Sequence, residues 1–222
     1  MTTRFIIARH GNTFTPEQTP TRVGARTDLP LTETQRGKAI GNYIKQQGWS
    51  VDNVFSGPLL RHTQTASLAC QQLKYPEAQI RVVHDFNEID YGEDENKTEQ
   101  AVMLRLGAGD LARGEQVIAD WNKHMLVPEG WHADPAKIQH DWQQFANTLL
   151  TKHRNQTSLL ISSNGIIRFA PIITGDLHAF CRQHDMKVST GGVCVFEYQT
   201  TTQQWLCTHW GVKPLKVLPS RL

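Results

Sequence analysis

An arginine and a histidine directly follow the first apolar run of the chain. Residues 5–8 are Phe, Ile, Ile and Ala, and the run ends at Arg9, His10 and Gly11. A run of β-forming residues that stops at polar residues and a glycine is typical of a buried strand, which here delivers two side chains to the edge of a sheet. In open α/β sheets, ligands bind at that edge. A guanidinium suits phosphate and an imidazole nitrogen can accept a phosphoryl group, so the segment predicts phosphoryl transfer.

Three further segments place polar side chains after a predicted strand. Arg61 lies just inside a helix, where the helix N-terminus already favours anions, so it could join Arg9 around one phosphate. Glu88 carries a carboxylate beside apolar neighbours, a setting that raises a pKa toward neutrality for general-acid work. Ser163 and Asn164 follow another strand and open a helix, which they could also cap. We expect all these turns to lie at the same edge of the sheet as the first segment.

Alternating strands and helices must position these side chains. The 222 residues can bury one large core, which favours a single domain over 1–222. The alternation predicts a three-layer α/β/α sandwich with a mostly parallel central sheet. An acidic turn and two helices over 85–128 form the predicted lid or side excursion. Strands are predicted at 5–8, 52–56, 80–84, 158–162, 193–198 and 205–209, and helices at about 32–48, 59–73, 136–153 and 164–173.

Composition and charge exclude several classes of partner. The net charge of +2 is slight and no basic run is present, so the sequence shows no nucleic-acid footprint. The apolar start is too short for a signal peptide, and no stretch approaches the length of a membrane span. The four cysteines form no C-x-x-C pair and show no metal spacing, which is typical of free thiols in a reducing compartment. We therefore expect a cytoplasmic protein with no metal, no nucleic-acid partner and no membrane partner; its oligomeric state stays open.

Four ordered motifs connect the chain to a known family. They are R-H-G-N-T at 9–13, D-L-P-L-T at 28–32, S-G-P-L-L-R-H-T-Q-T-A at 56–66, and the glutamate segment at 87–92. Together they resemble the histidine phosphatase superfamily, whose fold is shared with the cofactor-dependent phosphoglycerate mutases. The resemblance implies a phosphoglycerate mutase-like fold and covalent phosphohistidine catalysis without a metal or cofactor.

The resemblance also implies a role for each matching residue. His10 would be the phosphorylated nucleophile, and Arg9 and Arg61 would clamp the phosphate. Glu88 would donate a proton to the leaving oxygen. The remaining phosphate-binding residues that it implies are Asn12, Ser163 and Asn164.

The late motif departs from the family pattern. The family reads S-H-G before G-x-I-R, whereas this chain has Ser162, Ser163 and Asn164 there. Ser163 therefore stands where a second histidine normally completes the phosphate pocket, and His62 is the neighbour of the clamp that could substitute for it. Losing one charge-assisted hydrogen bond costs about 1.5–3 kcal/mol, which is roughly ten- to a hundredfold in rate. We expect a reaction that is slower but not abolished.

Three functions follow from these residues as alternatives. The first is hydrolysis of a small phosphorylated substrate, a phosphomonoester, through a phosphohistidine on His10. The second is a mutase, which uses the same residues but retains a second phosphorylated product. The basic loops that grip phosphoglycerate in true mutases are not evident, which favours the phosphatase. The third is a catalytically impaired module that binds a phosphoester or signals, and Ser163 is the reason to consider it.

Overall fold

The structure, a computed structural model, describes residues 2–217. Met1 and residues 218–222, which the predicted domain 1–222 includes, lie outside the described residues. A six-stranded sheet forms the centre of the described part, in the order β3-β2-β4-β1-β5-β6. Its strands are β1 (Arg4–Arg9), β2 (Asn53–Ser56), β3 (Arg81–Val82), β4 (Thr157–Ser162), β5 (Val193–Gln199) and β6 (Gln204–Val212).

Four strands of the sheet are parallel and two are antiparallel. β1 and β2 each run parallel to β4, and β3 runs parallel to β2. β5 pairs antiparallel with β1, and β6 closes the sheet as an antiparallel hairpin partner of β5. The predicted mostly parallel sheet is thereby confirmed, and the carboxyl ends of β1 to β4 point to one edge.

Helices connect the strands and cover both faces of the sheet. Several begin at a side-chain cap; Asp134, for example, accepts from the Ala136 and Lys137 N–H groups, with Pro135 in the first helical position. The helices are α1 (Gln35–Gln46), α2 (Leu60–Leu73), α3 (Glu99–Leu106), α4 (Leu111–His124), α5 (Pro135–Lys152), α6 (Asn164–Ile167), α7 (Leu177–Gln183) and α8 (Pro214–Val217).

Alternation along β1 divides the core into two layers. Ile6 and Ala8 belong to a cluster that includes residues of α1 and α2, whereas Phe5 and Ile7 belong to a second cluster that includes residues of α5. Because successive strand side chains point to opposite faces, the two clusters lie on opposite sides of the sheet. On the second side the Trp142 ring of α5 packs 6.0 Å from the Phe5 ring. The three layers predicted from the sequence are therefore present.

Two predicted helices begin or end differently in the structure. The helix predicted from residue 32 begins at Gln35, because Thr32 is held in the preceding loop by its N–H bond to the Asn12 carbonyl. The helix predicted over 164–173 is one turn of α-helix, followed by a 3-10 turn from Ala170 to Thr174. Pro171 explains the break, since it lacks an N–H and disfavours the helical conformation of the residue before it.

Residues 85–128 contain the two predicted helices, α3 and α4, after a short 3-10 turn at Gly92–Asp94. Asp94 organises this segment: its buried carboxylate accepts from the Trp131 indole at 2.7 Å and from the Arg105 guanidinium at 2.6 Å. Motion of the segment as a lid stays a prediction. Across residues 2–217, no helix combines the length and the apolar character needed to cross a membrane.

Candidate active site

The register of two parallel strands sets the first motif beside the last. Arg9, at the end of β1, pairs with Ser162, at the end of β4, and the His10 N–H donates to the Ser162 carbonyl at 3.1 Å. His10 and Ser163 therefore leave the sheet side by side at its carboxyl edge. β2 runs parallel to β4 and leads into α2, which carries Arg61 in its first turn. The predicted turns meet at one edge, as expected.

His10 is buried and held in one orientation by its own backbone. Its Nδ1 lies 2.7 Å from the Gly11 carbonyl oxygen, so Nδ1–H donates and Nε2 keeps a free lone pair. Burial, with the nearby charges of Arg9 and Arg61, holds the pKa of His10 well below its usual value. The ring is therefore neutral near pH 7, the state in which an imidazole nitrogen can attack.

Two guanidinium groups lie close to the His10 ring. Arg61 is fully buried, and its Nη1 donates to the Thr27 carbonyl at 2.8 Å. Arg9 donates from Nη1 to the Val188 carbonyl at 2.7 Å. The Nε atom of each is buried and has no hydrogen-bond partner within residues 2–217. Burial lowers the pKa of both groups, but an arginine remains charged in proteins, so both place positive charge near the His10 ring.

Glu88 is a buried carboxyl whose two oxygens differ. Oε1 accepts from the Ile89 N–H at 2.9 Å, whereas Oε2 is 3.4 Å from the Gly165 nitrogen. Burial raises the pKa of Glu88, although Arg61 and Arg9 oppose the shift. Because the Oε2 bond is the weaker one, Oε2 is the oxygen better able to carry a proton. The raised pKa is what a general acid requires.

The three remaining predicted residues differ in their contacts. The Asn12 amide oxygen accepts from the Thr190 hydroxyl at 2.6 Å, and the Asn164 amide oxygen accepts from the Val188 N–H at 2.8 Å. Their NH₂ groups are therefore the ends that remain for an oxyanion. Ser163 precedes α6 but makes no side-chain cap bond within the described chain. Its hydroxyl oxygen instead lies 2.7 Å from His62 Nε2.

A cavity of about 600 Å³ has His10 in its wall. Its size suits a small molecule. Arg61 and Ser163 are fully buried and are not among the residues that line it. The predicted site residues that line the cavity are Arg9, His10, Asn12, Glu88 and Asn164.

A second cavity, of about 700 Å³, lies between the loop at 31–34, α2 and β3. Apolar side chains such as Leu31, Leu68 and Val82 contribute to its lining. It offers none of the four predicted catalytic and clamp residues among the residues that the structure describes. The first cavity is therefore the candidate active site.

The structure adds two arginines that sequence reasoning left without a role. Arg168 is buried, its Cζ lies 4.3 Å from the Trp121 ring centroid, and burial lowers its pKa to about 10. Arg22 stacks 4.6 Å from the Trp131 ring and pairs with Glu99 at 2.5 Å. Both line the site cavity. Arg168 stands in the G-x-I-R motif, which could have marked it, whereas Arg22 lies in a loop without a distinguishing pattern.

Known proteins share this sequence pattern and this fold. The family model for the histidine phosphatase superfamily (branch 1) matches residues 5–212. The Bacillus subtilis protein named uncharacterized phosphatase PhoE is 32% identical over 95 residues, which are 42% of this chain and 46% of that protein. The match therefore spans less than half the length of that relative.

Two solved structures resemble the whole chain. Mycobacterial glucosyl-3-phosphoglycerate phosphatase in complex with VO3 superposes with a TM-score of 0.72 at 14% identity, over 94% of this chain and 98% of that chain. Phosphoserine phosphatase from Entamoeba histolytica, in complex with 3-phosphoglyceric acid, gives a TM-score of 0.65 at 18% identity, over 93% and 95%. At these identities the likeness shows the fold, and the predicted phosphoglycerate mutase-like architecture is confirmed.

Proposed function

Because the chain belongs to the histidine phosphatase superfamily, we propose that it is a phosphomonoester hydrolase working through a covalent phosphohistidine on His10. The observation that carries the proposal is the hydrogen bond from Nδ1 to the Gly11 carbonyl, because it fixes the tautomer whose Nε2 can attack. The partly unsatisfied guanidiniums of Arg9 and Arg61 support it, since they offer donors beside the attacking nitrogen.

In the first step the Nε2 lone pair of His10 forms a bond to phosphorus as the bond from phosphorus to the leaving oxygen breaks. The Glu88 carboxyl gives its proton to that oxygen, and the alcohol leaves. Charge spreads over the equatorial oxygens of the phosphoryl group during this transfer, and the clamp arginines, Arg9 and Arg61, stabilise it. The product of this step is a phosphohistidine and a Glu88 carboxylate.

In the second step water attacks the phosphohistidine. The Glu88 carboxylate takes a proton from the water as its oxygen bonds to phosphorus and the bond to His10 breaks. Inorganic phosphate leaves, and both residues return to their starting states. No metal or cofactor takes part in this scheme.

We propose a small phosphorylated molecule as the substrate. The cavity volume of about 600 Å³ suits such a ligand, and the phosphatases of similar fold are named for small phosphate esters. Hydrolysis is preferred to a mutase reaction because each of the relatives described above is named a phosphatase. The impaired module remains the second candidate, since Ser163 stands where the family pattern has its second histidine.

We further propose that the chain is one domain in which residues 85–128 form a lid over the site. The segment supports this by contributing Glu88, Tyr91, Ile118, Trp121 and Asn122 to the cavity wall. A lid of this kind would select the substrate and exclude water during the first step. A cytoplasmic location is the expectation from the cysteine pattern.

A panel of phosphomonoesters tests the proposed function. The wild-type protein should release inorganic phosphate from at least one of them, and His10→Ala should release none. A parallel incubation with 3-phosphoglycerate and bisphosphoglycerate detects a mutase, which would isomerise the substrate without net release of phosphate. If the folded wild type shows neither hydrolysis nor isomerisation, the result favours the impaired module.

A further inference from the structure

His62 and Ser163 form a hydrogen-bonded pair beside the nucleophile. His62 Nε2 lies 2.7 Å from Ser163 Oγ, and the centroid of its ring is 5.6 Å from that of the His10 ring. Both side chains are fully buried. The scheme above uses neither of them. Burial of two polar side chains costs folding free energy unless they form hydrogen bonds.

The proton of His62 can be placed from its surroundings. Burial and the neighbouring Arg61 charge hold the pKa of His62 well below its usual value, so the ring is neutral and carries one proton. Nδ1 is buried and has no hydrogen-bond partner in the described part of the chain. A buried donor without an acceptor is rarer than a buried acceptor without a donor. The favoured tautomer therefore keeps the proton on Nε2, which donates to Ser163 Oγ.

This tautomer leaves the hydroxyl proton of Ser163 free. The strand register brings Ser163 beside His10, and in residues 2–217 its hydroxyl makes no cap bond to α6. We propose that His62 holds Ser163 so that the Ser163 O–H donates to the phosphoryl group transferred to His10. His62 is then a positioning residue, and the imidazole that the family pattern places at position 163 comes from position 62 instead. This inference rests on the proposed function.

Three single variants, the double variant of Ser163→Ala with His62→Leu, and one probe separate this arrangement from a structural role. Orthovanadate imitates the transferring phosphoryl group and binds without turnover. Ser163→Ala removes the proposed donor, and His62→Leu removes its support at similar volume. His62→Gln is the matched control, because a glutamine N–H can still donate to the serine oxygen. Thermal unfolding confirms that each variant is folded.

We expect Ser163→Ala and His62→Leu to raise the dissociation constant for vanadate by roughly ten- to a hundredfold, the value of one hydrogen bond to a charged acceptor. The double variant should be no worse than either single one, and His62→Gln should stay within about twofold of the wild type. Wild-type affinity in Ser163→Ala would overturn the inference, and so would equal losses in His62→Gln and His62→Leu. If His62→Leu fails to fold, Ser163→Ala and His62→Gln decide alone.

The vanadate result is separable from the proposed function. A wild type that binds vanadate, shows the expected losses and never forms a phosphohistidine would refute the hydrolase but support the His62–Ser163 pair. A wild type that hydrolyses phosphomonoesters, with vanadate binding unchanged in Ser163→Ala, would support the hydrolase and overturn the pair. A folded wild type that binds no vanadate would overturn the pair as well.

Discussion

Replacing Glu88 by glutamine should separate general-acid catalysis from every other role of this residue. The amide oxygen of the new side chain can keep the 2.9 Å bond that Oε1 of Glu88 accepts from the Ile89 N–H. The NH₂ group then takes the place of Oε2, whose contact with the Gly165 nitrogen is long and weak, at 3.4 Å. Glu88→Gln therefore preserves the volume and the stronger hydrogen bond, and removes the acidic proton.

The size of the effect should depend on the leaving group. A positioned general acid contributes about 10²- to 10⁴-fold when the leaving oxygen is a poor one. We therefore expect the kcat/KM of Glu88→Gln to fall by about 100-fold or more on an alkyl phosphate such as glycerol phosphate. On p-nitrophenyl phosphate, whose leaving group needs little protonation, the loss in kcat/KM should stay below about threefold. The kcat can fall on both substrates, because Glu88 also activates the water of the second step.

The assay compares kcat/KM on the two substrates for the wild type and two variants. Asp90→Asn is the matched control, because Asp90 is a nearby carboxylate engaged by Arg26 at 3.0 Å and by His132 at 3.1 Å. It should not discriminate between the substrates. Equal losses on both substrates in a folded Glu88→Gln protein would refute the acid role and direct the search to Asp90 or Glu93.

Three further outcomes follow from the same geometry. Ser163→His alone should not raise turnover, because the buried His62 ring occupies the neighbouring space. Combined with His62→Ala, it should raise kcat roughly ten- to a hundredfold above that of His62→Ala alone, and equal kcat values in these two folded variants would contradict this. The kcat/KM for an alkyl phosphate should fall as the pH is lowered, because His10 is protonated at a pKa below its usual value. It should also fall as the pH is raised, because Glu88 loses its proton at a pKa above its usual value; an alkaline limb that persists in Glu88→Gln would show that another group causes it. Gly165→Ala should imitate Glu88→Gln on both substrates, because the added Cβ would collide with Glu88 Oε1; unchanged rates would show that the carboxyl position is not critical.

The parts of the fold that follow local patterns could be predicted from the sequence. The apolar run of residues 5–8 and the turn after it give β1 and its polar end without knowledge of the rest. Helix α5 is similarly local, since the Asp134 cap and Pro135 define its start. Strand β3 is only two residues long, because 3-10 turns at Glu77–Gln79 and His84–Phe86 flank it, and the sequence carries no sign of that limit.

The contacts within the site depend on register and could not be predicted. His62 and Ser163 are 101 positions apart. They meet because β2, which leads into α2 and His62, pairs with β4, which ends just before Ser163. Burial of Arg168 against Trp121 depends on how α4 packs, which no local pattern encodes. The catalytic roles of His10 and Glu88 stay predictions, because activity measurements on variants of these residues are what test them.

Trapping the covalent intermediate tests the central claim most directly. The wild-type protein is exposed briefly to a radiolabelled phosphomonoester, denatured, and divided between acid and base before the label is counted. The account predicts an adduct that acid removes and base preserves, as a phosphohistidine requires, and that is absent from folded His10→Ala. Label that persists in His10→Ala, or that survives acid in the wild type, would contradict it.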